Sequence, residues 1–197
     1  MADPGHIDDE YAKVGTYDPK IVITTSRSPS SRLLQFSKVT HLDVSVRAND
    51  SEADKQELRL VFPNSIRLNR GNTVLKDLLQ TCLAQNMTDL ILIHETRGVP
   101  DALIVSHLPH GPTLSMTLSN VTLRHDVSSN ADSTVSEQYP HLIFEGFGSK
   151  LGDRVKGILG ALFPVPKDDA KRVMTFANSD DFVSFRYVSH SCRHWRD

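Results

Sequence analysis

A β-branched apolar run, Ile21-Val22-Ile23, ends in Thr24-Thr25-Ser26-Arg27 and gives way at Ser28-Pro29 to an amphipathic stretch with Arg32, Leu33, Leu34 and Phe36. The run reads as a buried strand. A serine followed by a proline reads as a helix start, because Ser28 can cap and Pro29 fits the first turn, where a missing N–H costs nothing. A strand feeding a helix in this way turns the helix's N-terminal amides outward beside Arg27 and Arg32, which suits phosphate-like anions. The same pattern also serves as an ordinary βα connection with solvated arginines, and local sequence does not separate the two.

The unit recurs. In HLIFEGFGSKLGDRVKGILGALFP the pattern predicts a strand from His141 to Phe144, a turn, and a helix with Leu151, Val155, Ile158, Leu159 and Leu162 on one face. Both units close on Phe-Pro, at Phe62-Pro63 and at Phe163-Pro164. Ile21 and Phe62 are 41 positions apart, and Leu142 and Phe163 are 21 apart. Residues 39–56 (VTHLDVSVRANDSEADKQ) have neither a helical period nor a core-strand pattern, and removing these 18 shortens the first interval to 23. It also joins SSRLLQFSK to ELRLVFPNS as one amphipathic helix. Segment 39–56 is therefore expected to be an insertion in the first helix, and the fold an α/β internal duplication. Chance likeness between two βα units is the alternative, since such units are widespread.

Between the two units a short strand, Ser65 to Leu68, leads to Asn69-Arg70-Gly71-Asn72. Gly71 suits a turn of positive φ and Asn72 a helix cap. The helix expected over 73–85 puts Val74, Leu75, Leu78, Leu79, Cys82 and Leu83 on one face. If strands 20–25 and 65–68 run parallel, both helix starts lie on one rim, beyond the strands' C-terminal ends, where open α/β sheets bind ligands. Asp89 to Glu95 and Ala102 to His107 predict a hairpin, and Thr113 to Leu118 a half-exposed strand. The polar stretch 126–139 reads as a linker between halves of about 20–125 and 140–188, and strands at Arg172 to Ala177 and Phe182 to Val188 complete the second half. Residues 1–19 form an acidic arm and 189–197 an atypical tail.

Net charge, −2 overall, is unevenly spread. Residues 1–19 hold five acids against Lys13, whereas positions 20–38 and 57–72 hold Lys20, Arg27, Arg32, Lys38, Arg59, Arg67 and Arg70 against Glu57 alone. A basic field of this kind favours polyanions, although a solvated charged face has the same composition. Two cysteines make no disulfide or zinc framework, which implies a reducing intracellular compartment. No apolar run approaches the ~20 residues of a membrane span, and the N-terminus lacks the apolar core of a signal peptide. Neither catalysis nor a metal or other cofactor is expected. His107-Leu108-Pro109-His110 lacks the helical spacing and carboxylate of a zinc hydrolase, Cys82 falls on an apolar helix face, Cys192 falls in the tail, and no phosphate-binding GxxxxGK[ST] loop exists. The favoured mechanism is phosphate-backbone binding by Arg27, Arg32, Arg67, Arg70 and Arg97, with amides at Ser28 and Asn72. Asn69, His107 and His110 are candidates for bases or 2′-hydroxyls. Glu95 or Asp101 could instead take some of these arginines as structural partners.

At PKIVITTSRSPSSRLLQF, FPNSIRLNRGN, TDLILIHETRG, PDALIVSHLPHGPT, YPHLIFEGF and FPVPKDDAKRVMTFANSDDFVSFR, the sequence resembles the Brix-domain family, nearest its branch in the U-three small nucleolar ribonucleoprotein. The likeness spans about residues 7 to 187 without 39–56. It implies a Brix domain over 20–188 with two pseudo-equivalent halves, each similar to an anticodon-binding domain, and RNA binding without catalysis. It also implies a role in pre-18S rRNA processing in the small-subunit processome, in the nucleolus of the nucleus. The partners implied are U-three snoRNA and pre-rRNA, a sister subunit and the M-phase phosphoprotein scaffold, with no membrane and no small-molecule substrate. A protein–protein adaptor of the same particle is the alternative. The chain departs from the family in lacking its long helical N-terminal extension and in carrying 39–56 inside a continuous motif. It also ends as YVSHSCRHWRD where the family continues through further strands, which implies a truncated second half.

Overall fold

β1 (Ile21–Thr25) is buried along its whole length. That is the expected fate of a β-branched run covered on both faces. It lies between β2 (Ser65–Arg67) and β3 (Asp89–Thr96) and runs parallel to both. β3 turns back into β4 (Val99–His107), which pairs antiparallel with β5 (Thr113–Thr117), giving the order β2-β1-β3-β4-β5. Helix α1 (Leu75–Ala84) connects β2 to β3. A second sheet holds β6 (His141–Glu145), β7 (Arg172–Ser179) and β8 (Phe182–Ser189) in that order, with β6 and β7 parallel and β8 antiparallel to β7. Helix α2 (Lys150–Ala161) links β6 to β7. This computed structural model describes residues 11, 14–27, 29, 61–62, 64–97, 99–121 and 138–189.

Alternation along the central strands divides the protein into layers. Val22 and Leu90 face Leu78 and Cys82 of α1 in a small cluster that Leu108 completes. Ile21, Ile23, Ile91 and Ile93 point the other way, into a core shared with Phe147, Ile158, Leu159, Leu162, Met174 and Phe176 of the second half. At the junction, Phe62 stacks on Phe163 with ring centroids 5.4 Å apart. Phe163 in turn meets Phe176 edge-on at 6.3 Å, and Phe176 stacks on Phe144 at 5.0 Å. The two halves therefore share one core.

The strand expectations hold in kind, with ends displaced by up to three residues, and the 89–107 hairpin forms. Three expectations about helices need correction. Asn72 does not cap α1. Val74 is the N-cap and makes no side-chain cap bond. Residues 70–73 are already closed as a turn, with Thr73 N–H bonded to the Arg70 carbonyl and Gly71 at φ +51°. The buried face of α1 is narrower than expected, because only the Leu78–Cys82 line reaches the sheet squarely. Val74, Leu75 and Leu83 fall beside that line and are exposed. On α2, Leu151 is 68% exposed and Gly152 is buried in its place. The helix backbone runs so close to Phe147 that a Cβ at Gly152 would lie 3.1 Å from its main chain, tighter than an ordinary contact, which favours glycine at this position. Ser149 fixes this approach by accepting the Gly152 N–H at 2.9 Å. Most of the helix expected after Pro29, the 39–56 insertion, the 189–197 tail beyond its first residue and most of the 126–139 linker lie outside the described residues.

Replacing Phe163 with alanine removes a ring that touches both Phe62 and Phe176 and is expected to cost about 3–5 kcal/mol of stability. Urea unfolding followed by far-ultraviolet dichroism measures this. A loss below about 0.5 kcal/mol is the range of ordinary surface changes and would mean that the stack does not hold the halves together.

Candidate nucleic-acid interface

Because β1, β2 and β3 are parallel, the chain leaves all three at the same end of the sheet. Hydrogen bonds carry the pairing to that end. Leu68 N–H donates to Ile23 O at 2.9 Å, Ser26 N–H to Ile93 O at 3.0 Å, and the Thr24 hydroxyl to Leu68 O at 2.9 Å. Arg27 therefore follows β1, Asn69 and Arg70 follow β2, and Arg97 sits in the turn after β3, all on one rim. Arg27, Asn69 and Arg97 are exposed and Arg70 is half-buried.

Two of these arginines are positioned by local structure. The Arg70 Nε–H donates to the Thr73 carbonyl at 3.2 Å, which braces the side chain against its own turn. Arg97 has φ +53°, an uncommon backbone conformation for a residue with a side chain. The β3–β4 turn that holds it follows a register shift between His94 and Glu95. Asp101 clamps the turn by accepting from the His94 Nδ1–H at 2.7 Å and from the Thr96 hydroxyl at 2.5 Å. These bonds, that from Thr96 first and that from His94 second, hold the Asp101 carboxyl below its ordinary range. His94, Thr96 and Asp101 thus complete a support for Arg97 that the sequence reading did not assemble. The alternation of β3 against β4 could have paired them, had the shift in register been visible.

The other expected site residues are not brought to this group. Arg67 is inside β2 beside Ile23, half-buried, with its Nε enclosed. Asn72 is exposed one residue past Gly71. His107 ends β4, and because β4 is antiparallel to β3 this puts it beside Asp89, at the opposite end of the sheet. There its ring is buried, its Nδ1–H donates to the Asp89 carboxylate at 2.8 Å, and Tyr11 lies 4.6 Å away, centroid to centroid. His110 is exposed in the loop just beyond. Ser28 and Arg32 lie outside the described residues. Among the described residues, no three His, Cys, Asp or Glu side chains converge as a metal site, and no helix is long and apolar enough to cross a membrane.

A sequence model of the Brix domain matches residues 27–194. Over 183 residues the chain is 52% identical to the U3 small nucleolar ribonucleoprotein protein imp4 of Schizosaccharomyces pombe, covering 92% of this chain and 56% of that protein. The human protein of the same name is 52% identical over 182 residues, again with 92% of this chain and 56% of the relative covered. The chain thus spans a little over half the length of these curated relatives. Its fold is similar to the crystal structure of a probable ribosomal biogenesis protein from Aeropyrum pernix K1, with a TM-score of 0.58 and 19% identity over 86% of this chain and 89% of that one.

Carbon-13 titration of the aspartate carboxyls checks the clamp. Asp101 is expected to titrate below its ordinary 3.8 and to move back toward it in a Thr96→Val variant. The folded-state value is the depressed one, so the clamp's contribution to stability is present at neutral pH and is lost as pH falls through that value. An unchanged midpoint in the variant would remove Thr96 from the clamp.

Proposed function

Because the chain belongs to the Brix-domain family, we propose that it is an RNA-binding ribosome-assembly factor of the U-three small nucleolar ribonucleoprotein and small-subunit processome. In this reading it assists pre-18S rRNA processing in the nucleolus by binding snoRNA or pre-rRNA, with a sister subunit and the M-phase phosphoprotein scaffold as protein partners. It works as a binding protein and not as an enzyme. The names of its relatives support the particle, and the observation that carries the RNA contact is the meeting of Arg27, Arg70 and Arg97 on one rim. Guanidinium forks bind phosphate oxygens through paired hydrogen bonds, and three on the rim beyond adjacent strand ends suit a sugar–phosphate backbone. Asn69 supplies an amide on the same rim for a base edge or a 2′-hydroxyl. Arg67 supports β2 from within, and Arg32 extends the basic stretch in sequence.

The two halves are read as a duplication. Each combines a parallel pair with an antiparallel return, β1 with β3 then β4, and β6 with β7 then β8, and this supports the spacing argument from the two Phe-Pro closures. Similarity of each half to an anticodon-binding domain belongs to the same reading.

The test is association with a fluorescent single-stranded pre-rRNA fragment at several salt concentrations. Wild-type affinity is expected to fall with salt on a log–log line, and Arg97→Ala to flatten the slope by about one. Arg27→Glu with Arg70→Glu is expected to abolish binding while dichroism stays native. Undiminished binding by that double variant moves the RNA site elsewhere, and salt-insensitive association favours a protein adaptor instead.

A further inference from the structure

At the end of the sheet away from the arginines, a cavity of about 330 Å³ opens between the chain entering β1, the start of β3 and the segment that follows α2. That volume is at the small end of ligand sites, which run from about 300 to 1,000 Å³. Its walls differ in character. Phe163 and Val165 form an apolar side, Tyr17 contributes a half-exposed ring, and Asp18 and Asp89 contribute carboxylates. No lysine or arginine is among the described residues that line it.

The acidic wall has one buried carboxylate, Asp89, and one exposed one, Asp18. Asp89 is 1% exposed and accepts from His107, whose ring packs so closely on Gly111 that a Cβ there would lie 2.7 Å from it. Asp18 accepts from the Tyr139 hydroxyl at 3.2 Å, and that hydroxyl in turn accepts from the Asn64 amide at 3.3 Å. Burial first, and then the Asp89 charge, raise the Tyr11 hydroxyl above its ordinary 10 against a smaller pull from Arg154, so Tyr11 remains neutral beside His107. The cavity therefore presents acceptors and negative charge beside an apolar slot.

We propose that this cavity receives an arginine side chain from a basic segment of a protein partner. Its methylenes would lie along Phe163 and Val165, with its guanidinium against Asp18 and the Tyr17 ring. Charge decides the class of occupant. A nucleotide would bring phosphate against two carboxylates in a partly desolvated pocket, whereas a guanidinium is complementary to both the carboxylate and the aromatic face. The protein then has two binding ends of opposite sign, one for a polyanion and one for a basic peptide.

The test is nitrogen-15 NMR of the full chain titrated with N-acetyl-arginine methylamide, with N-acetyl-norleucine methylamide and adenosine monophosphate as controls. Saturating millimolar shifts at the Thr88, Asp89 and Val165 amides are expected with the arginine probe alone. Binding is expected to weaken at least tenfold in Asp18→Asn and to vanish in Val165→Trp, which fills the slot from an exposed position. The Arg27→Glu/Arg70→Glu protein is expected to bind the probe like wild type, so failure of the RNA reading and failure here remain distinguishable. Shifts of the same amides by the nucleotide, equal binding of norleucine, full binding by Asp18→Asn in a natively dispersed spectrum, or no saturation with arginine would each overturn the proposal.

Discussion

The stack of Phe62 on Phe163 is the constraint from which the rest of this structure follows. Phe163 follows the helix of the second half, Phe62 precedes β2, and each ring is buried. Offset stacking of two aromatic rings contributes about 0.5–1.5 kcal/mol beyond their area. Its larger consequence is geometric. It sets one half against the inward isoleucines of the other, so that a single core closes over both sheets. β1 can then be apolar on both faces, with α1 on one side and the second half on the other.

Parallel pairing around β1 gives the molecule its polarity. Three strands that run the same way deliver Arg27, Arg70 and Arg97 to one end, and the antiparallel β4 carries His107 to the other. Residues that look alike in sequence as candidates for RNA contact are thereby assigned to opposite ends of the sheet. The arginines reach a solvated rim where a polyanion can approach. His107 is built into a buried pair with Asp89 at 2.8 Å.

The sequence made the strands legible because their period is short and their apolar content high. Ile21 to Ile23 and Leu90 to Ile93 could hardly be anything else, and Gly71 at positive φ was marked by its residue type. Helix faces were less legible. Leu75, Leu83 and Leu151 are apolar and correctly spaced, yet exposed. On α2 the buried position of the first turn is Gly152, whose backbone packs against Phe147 in the chain entering the helix. Periodicity registers where large apolar groups recur, and it has no means of registering a contact made through the absence of a side chain. The Asp101 clamp escaped for a related reason: it joins residues across a shift in register, which a sequence does not display.

By itself, then, the sequence determined the strands, helices α1 and α2, the basic stretch over 20–38 and 57–72 and the resemblance to the Brix-domain family. These are local properties, fixed by side-chain volume, β-branching, backbone freedom and charge within a few residues of one another. The tertiary structure alone decided that β2, β1 and β3 are parallel neighbours, and hence which cations share a rim, which histidine is buried, and that an acidic-walled cavity lies at the far end. Those outcomes depend on contacts such as Tyr139 to Asp18, 121 positions apart, and Phe62 to Phe163. Pairings over such separations are set by how the whole chain fills its core, and no window of sequence contains both partners.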